Sequence, residues 1–494
     1  MSAFIIAAVH LNLCIGTLSN FAKSRPDLSN LLTDLLNFKV CGEFMLTEIG
    51  HGLDARNLET MATLLPDRGF DLHTPGAAAA KAMPPTTPLA GVPRVAIVFA
   101  RLIVGRNDHG IKPFVVWLND SANMRRGITS RALPTRPGTK PLDHSITSFE
   151  HVRLSPEALL GPLSKPKDQR ADFFWQIRRV PVGALSLSVM GVSSIKVATK
   201  IAATYSQRRL TTATEGVRMP ILAFSTQQRP VLQGLVDSFV LEAFARWTIK
   251  QFMELSHTQS VRHALATVFK ATVMQASRVL HELSERCGWQ GLFAYNQISE
   301  LALTFQGNSI AEGDTLVLCI RLASELLGDK YHLPVSQDLT TNLARHETGL
   351  FLEAKEKLAD LGGYENHRSQ EFNCHLLPRC RPLVEAIGHR MAYEAAKNSG
   401  VRSEVLNLFE WLCISADLSW YVESCLITRT EFLNSITEAY NRAFPILLDA
   451  LNPTAADDYI TAPIMTEKSW DNFVKELPSF DYASSRSGGY LSKL

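Results

Sequence analysis

The spacing of hydrophobic residues changes twice along this chain, and each change predicts a change of architecture. Within residues 1–38, Leu28, Leu31, Leu32, Leu35 and Leu36 share one face of a predicted helix. Ser24-Arg25-Pro26-Asp27 supplies its start, with proline near the first turn. From Gly42 to about Leu163 the texture becomes short β-rich runs split by Pro, Gly and Asn or Asp. Segments 94–104, 111–118 and 146–152 read as strands, with turns at Gly105-Arg106-Asn107-Asp108 and Arg136-Pro137-Gly138. Six or so such strands in about 120 residues predict a small barrel or a pair of sheets. After Pro166 the helical period returns and persists. Segments 182–209, 231–255 and 260–286 are long and amphipathic, as packed bundle helices are. A break at 287–307 precedes a helix at 313–327, and 328–339 reads as a linker. A last helical block runs over 341–450, including 352–361, 383–396, 405–412 and 429–451. No internal repeat and no low-complexity tract stands out.

At 494 residues the chain needs several structural units. Hydrophobic residues at 46% and charged residues at 20% are ordinary for a globular protein. A formal net charge of +2, with basic pairs scattered at Arg125-Arg126, Arg178-Arg179 and Arg208-Arg209, gives no case for nucleic acid. The irregular spacing of Cys14, Cys41, Cys287, Cys319, Cys374, Cys380, Cys413 and Cys425 predicts free buried thiols in a reducing compartment. His367, Cys374, His375 and Cys380 lack the Cys-x2-Cys spacing of structural zinc sites, so no metal is expected. The apolar start at 4–9 lacks a basic leader and is broken at His10 and Asn12, unlike a signal peptide. No stretch of about 20 apolar residues is read as a membrane span. Ser492-Lys493-Leu494, after a polar arm at 484–489, is the tripeptide read by the peroxisomal import receptor, so a peroxisomal address is expected.

No Gly-x-Gly-x-x-Gly and no Gly-x4-Gly-Lys-Ser/Thr occurs, so any nucleotide cofactor is held in another way. The candidate is Leu46-Thr47-Glu48-Ile49-Gly50-His51-Gly52 with Leu58-Glu59-Thr60, a predicted strand at 43–46 breaking into a loop before a strand at 59–65. Glycines there tolerate positive φ and let a planar or anionic ligand approach the main chain. By itself this is a tight turn. Its spelling, however, resembles the flavin-facing loop of the acyl-CoA oxidase branch of the acyl-CoA dehydrogenase superfamily.

Further segments resemble that family in the same order. Tyr205-Ser206-Gln207-Arg208-Arg209 is similar to its Y-S-x-x-R-R segment, and Phe224-Ser225-Thr226-Gln227-Gln228 to its F-x-T-Q-Q. Cys287-Gly288-Trp289-Gln290-Gly291-Leu292 aligns with C-G-G-H-G-Y, with Trp289 and Gln290 replacing glycine and histidine. Ala311-Glu312-Gly313-Asp314-Thr315 aligns with F-E-G-E-N-T, with alanine for phenylalanine and one residue fewer before Thr315. Lys81-Ala82-Met83-Pro84 stands where the family has K-W-W-P-G-G, without either tryptophan. Segments 383–393 and 457–464 resemble the oxidases' extra C-terminal helical domain.

The resemblance implies an α+β, mainly α fold of the acyl-CoA dehydrogenase type. Residues 1–38 would be a remnant of the N-terminal helical domain and 39–165 the central β domain. A four-helix-type bundle with the catalytic glutamate would fill 166–330, a second helical domain 331–483, and a tail 484–494. The family's first N-terminal helices have no counterpart, so a shortened form, or a start set too late, is expected. Glu312 is implied as the catalytic base, and the apolar neighbours Ile310, Ala311 and Leu316 predict a desolvated carboxylate with a raised pKa. Thr47, Gly50, Gly52, Arg209, Gln228, Gly288 and Gly291 are implied to bind FAD, with Arg209 reaching the pyrophosphate of a neighbouring subunit. Arg178, Gly313 and Asp314 are implied as supporting residues. The implied partners are acyl-CoA, O₂ and a second copy of the chain. The implied reaction is α,β-dehydrogenation of acyl-CoA to trans-2-enoyl-CoA in peroxisomal β-oxidation, with H₂O₂ formed. Other readings are a dehydrogenase passing electrons to another flavoprotein, an enzyme for a specialised acyl-CoA of secondary metabolism, and an inactive scaffold or dimer partner. The second helical block and the Ser-Lys-Leu terminus argue against the first of these.

Overall fold

Strand β5 (Arg94–Val104) is apolar without interruption from Val95 to Ala100, and every one of those residues is buried. A run of that kind belongs in the middle of a sheet covered on both faces. In this computed structural model, which describes residues 2–213 and 216–480, β5 is the axis of the main sheet. Antiparallel β6 (Asn107–Asn119) lies on one edge. On the other edge two short parallel strands lie end to end, β1 (Cys41–Met45) beside 94–98 and β2 (Met61–Leu64) beside 101–103. The loop at 46–60 therefore leaves the sheet midway along β5. β3 (Phe70–His73) and β9 (Val152–Leu154) extend the sheet beyond β2. A second, three-stranded sheet holds β4 (Lys81–Pro85), β8 (His144–Phe149) and β7 (Ile128–Ala132). The arrangement is the expected pair of sheets.

The N-terminal helices cover one face of the main sheet. α1 (Ser2–Ala7) continues through a π-helical stretch, Ala8–Ile15, into α2 (Gly16–Ser19), and α3 (Ser29–Leu36) follows. His10 joins helix to sheet. Its Nδ1 accepts from Gly42 N–H at 2.8 Å, so the ring proton sits on Nε2, 3.0 Å from the Leu35 carbonyl. α4 (Gln169–Gln176), capped by Asp168, closes the same layer through Asp172, which pairs with the buried Lys112 of β6 at 2.9 Å.

The bundle comprises α5 (Val180–Arg208), α6 (Ser225–Met253), α7 (Gln259–Ala276), α8 (Val279–Arg286), α9 (Ile298–Asn308) and α10 (Thr315–Leu327). The short hairpin β10 (Leu210–Thr212) and β11 (Arg218–Pro220) links α5 to α6. Two expectations need correction here. Segment 260–286 is two helices, because the chain bends at Ser277-Arg278. The expected break at 287–307 contains α9, whose buried Ile298, Leu301, Ala302 and Phe305 carry the helical period behind a turn-rich start. The second block contains α11 (Asn342–Asp360), α12 (Gln370–His375), α13 (Leu377–Asn398), α14 (Ser403–Ala416), α15 (Leu418–Glu423), α16 (Arg429–Ala450) and α17 (Glu467–Glu476). One apolar core runs through both blocks: Ile195 and Phe269 from the first share it with Leu383, Leu408 and Leu447 from the second.

By length and composition alone Ser2–Ser19 and Val180–Arg208 are long and apolar enough to cross a membrane, which is weak evidence for a span. In the structure Val180–Arg208 buries Leu187, Ile195 and Ile201 in the bundle. All eight cysteines are free, but Cys374 and Cys425 are exposed and Cys41 is half-buried, so only part of the set is buried thiol. Ser492-Lys493-Leu494 and its polar arm lie outside the described residues.

Candidate active site

Residues 309–314 join α9 to α10 and are held from both ends. Thr315 closes the loop, donating to the Ser309 carbonyl through its N–H at 2.9 Å and its hydroxyl at 2.8 Å. Asp314 caps α10, accepting from Leu316 N–H at 3.0 Å and Val317 N–H at 3.2 Å. The expected supporting role of Asp314 is thus helix capping. Asp314→Ala should lower stability by about 1 kcal/mol, visible in a calorimetric Tm.

Glu312 and Gly313 both take left-handed backbone angles, with φ of 56° and 88°. That turn aims the Glu312 side chain at the start of α5. A Cβ at Gly183 would stand 2.4 Å from Glu312 Cδ, so glycine is what admits the carboxyl. The residue keeps some surface open, yet burial pushes its carboxyl up from 4.5 to about 8, with the charge of Lys270 acting in the opposite sense. The expected cause of desolvation was wrong. Ile310 and Leu316 are 64% and 48% exposed, and the burial comes from α5 and α7 instead. Among the described residues neither the Glu312 carboxylate nor its N–H has a hydrogen-bond partner. Both groups are free for a ligand.

The 46–60 loop is organised around a buried ion pair. Glu48 accepts from Lys81 Nζ at 3.0 Å, Thr60 Oγ1 at 2.6 Å, Thr60 N–H at 2.9 Å and Glu59 N–H at 2.7 Å, and both charged side chains are fully buried. Main-chain bonds add to this, from Ala82 N–H to the Thr47 carbonyl at 3.0 Å and from Gly50 N–H to the Ala78 carbonyl at 2.8 Å. Glu48 points inward while Thr47, Gly50 and Gly52 face outward and are exposed. Neither glycine uses positive φ, contrary to one reason given for them. They serve by lacking a side chain: a Cβ at Gly50 would meet Ala78 Cβ at 3.0 Å, and nothing lies within 4 Å of one at Gly52.

Arg209, Gln228, Gly288 and Gly291 gather at one end of the bundle. Arg209 is the C-cap just beyond α5, is exposed, and makes no ion pair among the described residues. Its carbonyl accepts from Ile221 N–H at 2.8 Å, and Gln228 Nε2 donates to the adjacent Leu222 carbonyl at 2.9 Å. The neighbouring Gln227 does more, tying Ser206 of α5 to the Arg286 carbonyl of α8 at 2.8 and 2.9 Å. Gly288 has φ of 60° and open space where a Cβ would be. Gly291 is different: a Cβ there would stand 1.9 Å from the Ser284 carbonyl, so the close packing of this turn on α8 requires glycine. Trp289 is 58% exposed and meets Trp470 of α17 edge to face. Arg178 stacks on Trp175 at 3.6 Å and donates to its carbonyl, while Arg179 fixes α5 to Asn12 of the N-terminal helix.

The two groups of residues do not meet within one chain. Gly183, beside Glu312, lies near the start of α5 and Arg209 just past its end, about 39 Å apart at 1.5 Å per helical residue.

Residues 185–327, which span most of α5 through α10 and include Glu312, match the model of the acyl-CoA oxidase C-alpha1 domain. The chain is 27% identical over 323 residues to human peroxisomal acyl-coenzyme A oxidase 3, covering 60% of this chain and 46% of that protein. Residues 185–327 thus match an acyl-CoA oxidase domain, and the chain is similar to acyl-CoA oxidases beyond it. A probable acyl-coenzyme A oxidase of Caenorhabditis elegans is 26% identical over 393 residues, covering 74% of this chain and 58% of the relative. This chain thus spans about half the length of the curated relatives it matches. Among solved structures, acyl-CoA oxidase 3 of Yarrowia lipolytica superposes with a TM-score of 0.81 at 19% identity, over 98% of this chain and 82% of the other. Acyl-CoA oxidase-2 of Caenorhabditis elegans, solved with FAD, ascaroside-CoA and ATP, gives 0.82 at 19% identity, over 97% and 82%. These likenesses establish the family's fold, α+β and mainly α.

Three residues that hold the family's landmarks in place were missed in the sequence: Gly183, Lys270 and the pairing partner role of Lys81. Lys270 left a legible signal, as the only charged residue between Ala264 and Met274 of an otherwise apolar helix.

Proposed function

We propose that the chain is an FAD-dependent acyl-CoA oxidase, converting acyl-CoA and O₂ to trans-2-enoyl-CoA and H₂O₂. The observation that carries this reading is Glu312: a carboxylate without partners among the described residues, its pKa raised by burial to about 8, beside its own N–H, equally unpaired among them. The α-proton of a thioester is weakly acidic, so its removal needs a base aimed at it and shielded from bulk water. Glu312 takes that proton, while its N–H donates to the thioester carbonyl and stabilises charge developing there. FAD, when bound, accepts the β-hydride, and O₂ is the terminal acceptor.

The residues present fit such a cofactor. The open approaches at Gly52 and Gly288 admit close contact with the main chain, and Arg209 offers an exposed guanidinium, unpaired among the described residues and suited to a diphosphate. Thr47 and Gly50 share the outward face of the first loop. Gly291 and the Gln228 amide group are occupied within the protein and act as supports. An Arg209 about 39 Å from the base along α5 serves a site in a second copy, which supports a homodimer. The peroxisomal names of the relatives and the Ser492-Lys493-Leu494 tripeptide support a peroxisomal place in β-oxidation. A specialised acyl-CoA is the second reading, favoured by Met83, which is 49% exposed with φ of 82° where the family carries tryptophan.

The test is aerobic turnover of the purified, FAD-supplemented protein with acyl-CoAs of varied length and branching, following H₂O₂ and enoyl-CoA together. Equal amounts of both are expected. Enoyl-CoA formed only with an added electron carrier would make it a dehydrogenase, and no turnover with any acyl-CoA would defeat the proposal.

A further inference from the structure

Lys270, in the middle of α7, is fully buried and forms no ion pair within 4.0 Å among the described residues. Its Nζ instead donates to two main-chain oxygens, the Ala311 carbonyl at 2.5 Å and the Gly313 carbonyl at 2.6 Å. Those are the carbonyls on either side of Glu312. We propose that Lys270 is a positioning residue for the Glu312 base, clasping both flanking carbonyls so that the left-handed turn and the aim of the carboxyl toward Gly183 are fixed.

The physical argument has two parts. A non-glycine residue in the left-handed region costs about 1–3 kcal/mol and persists only where its surroundings impose it. Thr315 and Asp314 hold the outer ends of the loop, but only Lys270 grips the two peptide units that define the turn. A bidentate grip of this kind fixes direction as well as position. The second part is charge. Burial pulls Lys270 down from 10.5 to about 8, against the opposing charges of Glu312 and Asp314 in the loop and Cys319 on α10. In return its positive charge keeps the Glu312 carboxyl lower than burial alone would set it. Lys270 thus acts on the base through geometry and through its protonation, without reaching the substrate.

The assignment rests on the acyl-CoA reading for its consequence in turnover, but not for its effect on Glu312. Lys270→Gln is expected to lower kcat by about a hundred-fold, as a misplacement of about 1 Å does. It should also move the rising limb of the kcat/KM pH profile to higher pH, and Lys270→Arg should bring the limb back. The Glu312 protonation midpoint, read by isotope-edited infrared difference against Glu312→Gln, should move the same way in the absence of substrate. If wild type turns over no acyl-CoA, the proposed reaction falls, and the infrared midpoint still decides the role of Lys270. A folded Lys270→Gln with the wild-type midpoint overturns the assignment. Should Lys270→Gln not fold, Lys270→Arg decides: it keeps the charge, so the wild-type midpoint is expected, and a midpoint well above it overturns the assignment.

Discussion

Glu312→Gln keeps the fold and loses acyl-CoA turnover by about a thousand-fold or more, since a positioned general base contributes about 10²–10⁴ in rate. The amide has the shape of the acid and cannot accept the α-proton. The space opened by Gly183 and the loop closure by Thr315 and Asp314 do not depend on the charge. Single-turnover reduction of added FAD by acyl-CoA, compared with wild type, measures the loss. A Gln variant within tenfold of wild type would remove Glu312 from the role of base. In wild type, kcat/KM should rise with pH toward a plateau above about 8, because only the ionised carboxylate takes a proton. Stability moves oppositely. A folded-state pKa raised from 4.5 to about 8 means that the native protein holds the proton more tightly. Glu312's contribution is therefore fully present below pH 4.5 and is lost as pH rises through about 8. Lys270, lowered from 10.5 to about 8, changes stability above that window, where its release from charge favours the fold. Between 4.5 and 8 the difference in Tm between wild type and Glu312→Gln therefore reports Glu312, with the Gln variant gaining as pH rises.

Lys81→Met is expected to lower stability by about 3–5 kcal/mol, because it leaves Glu48 as a buried charge without its cation. Lys81 and Glu48 have no exposed side-chain surface, so water cannot replace the missing partner. Three donors from Glu59 and Thr60 remain on the carboxylate, which limits the loss and keeps the loop from coming apart completely. Denaturant unfolding measures the change. Because the pair also sets the path of Thr47–Gly52, FAD affinity should fall along with stability. The double variant Glu48→Gln with Lys81→Met should recover much of the stability, since no bare charge remains.

How much was legible depended on whether a residue's role was local. The β5 run and the helices at 182–209 and 429–451 were readable because burial imposes a period on the residues that do it. Glu312 was readable through the wording of its neighbours, and the family and fold inferred from that wording hold. The reason offered for its raised pKa did not hold, since Ile310 and Leu316 face solvent. The burial comes from Gly183 and Lys270, which lie far off in sequence, and no local pattern reports a contact across helices. Gly291 shows the reverse: a glycine in a familiar motif proved to be a packing residue against Ser284. Arg209 was read as reaching a neighbouring subunit, and α5 places it at the end opposite Gly183 and the Glu312 carboxyl.

The core shared by Ile195, Phe269, Leu383 and Leu447 bears on how this protein can be recombined with its relatives. The segment at 328–341 looks like a natural crossover point for chimeras, yet a junction there would cut through a single packed interior. A grafted second block would have to bring side chains complementary to α6, α7 and α10, or leave voids against them. A crossover within the 210–220 hairpin fares no better, since Leu187, Ile195 and Ile201 of α5 lie in that same interior.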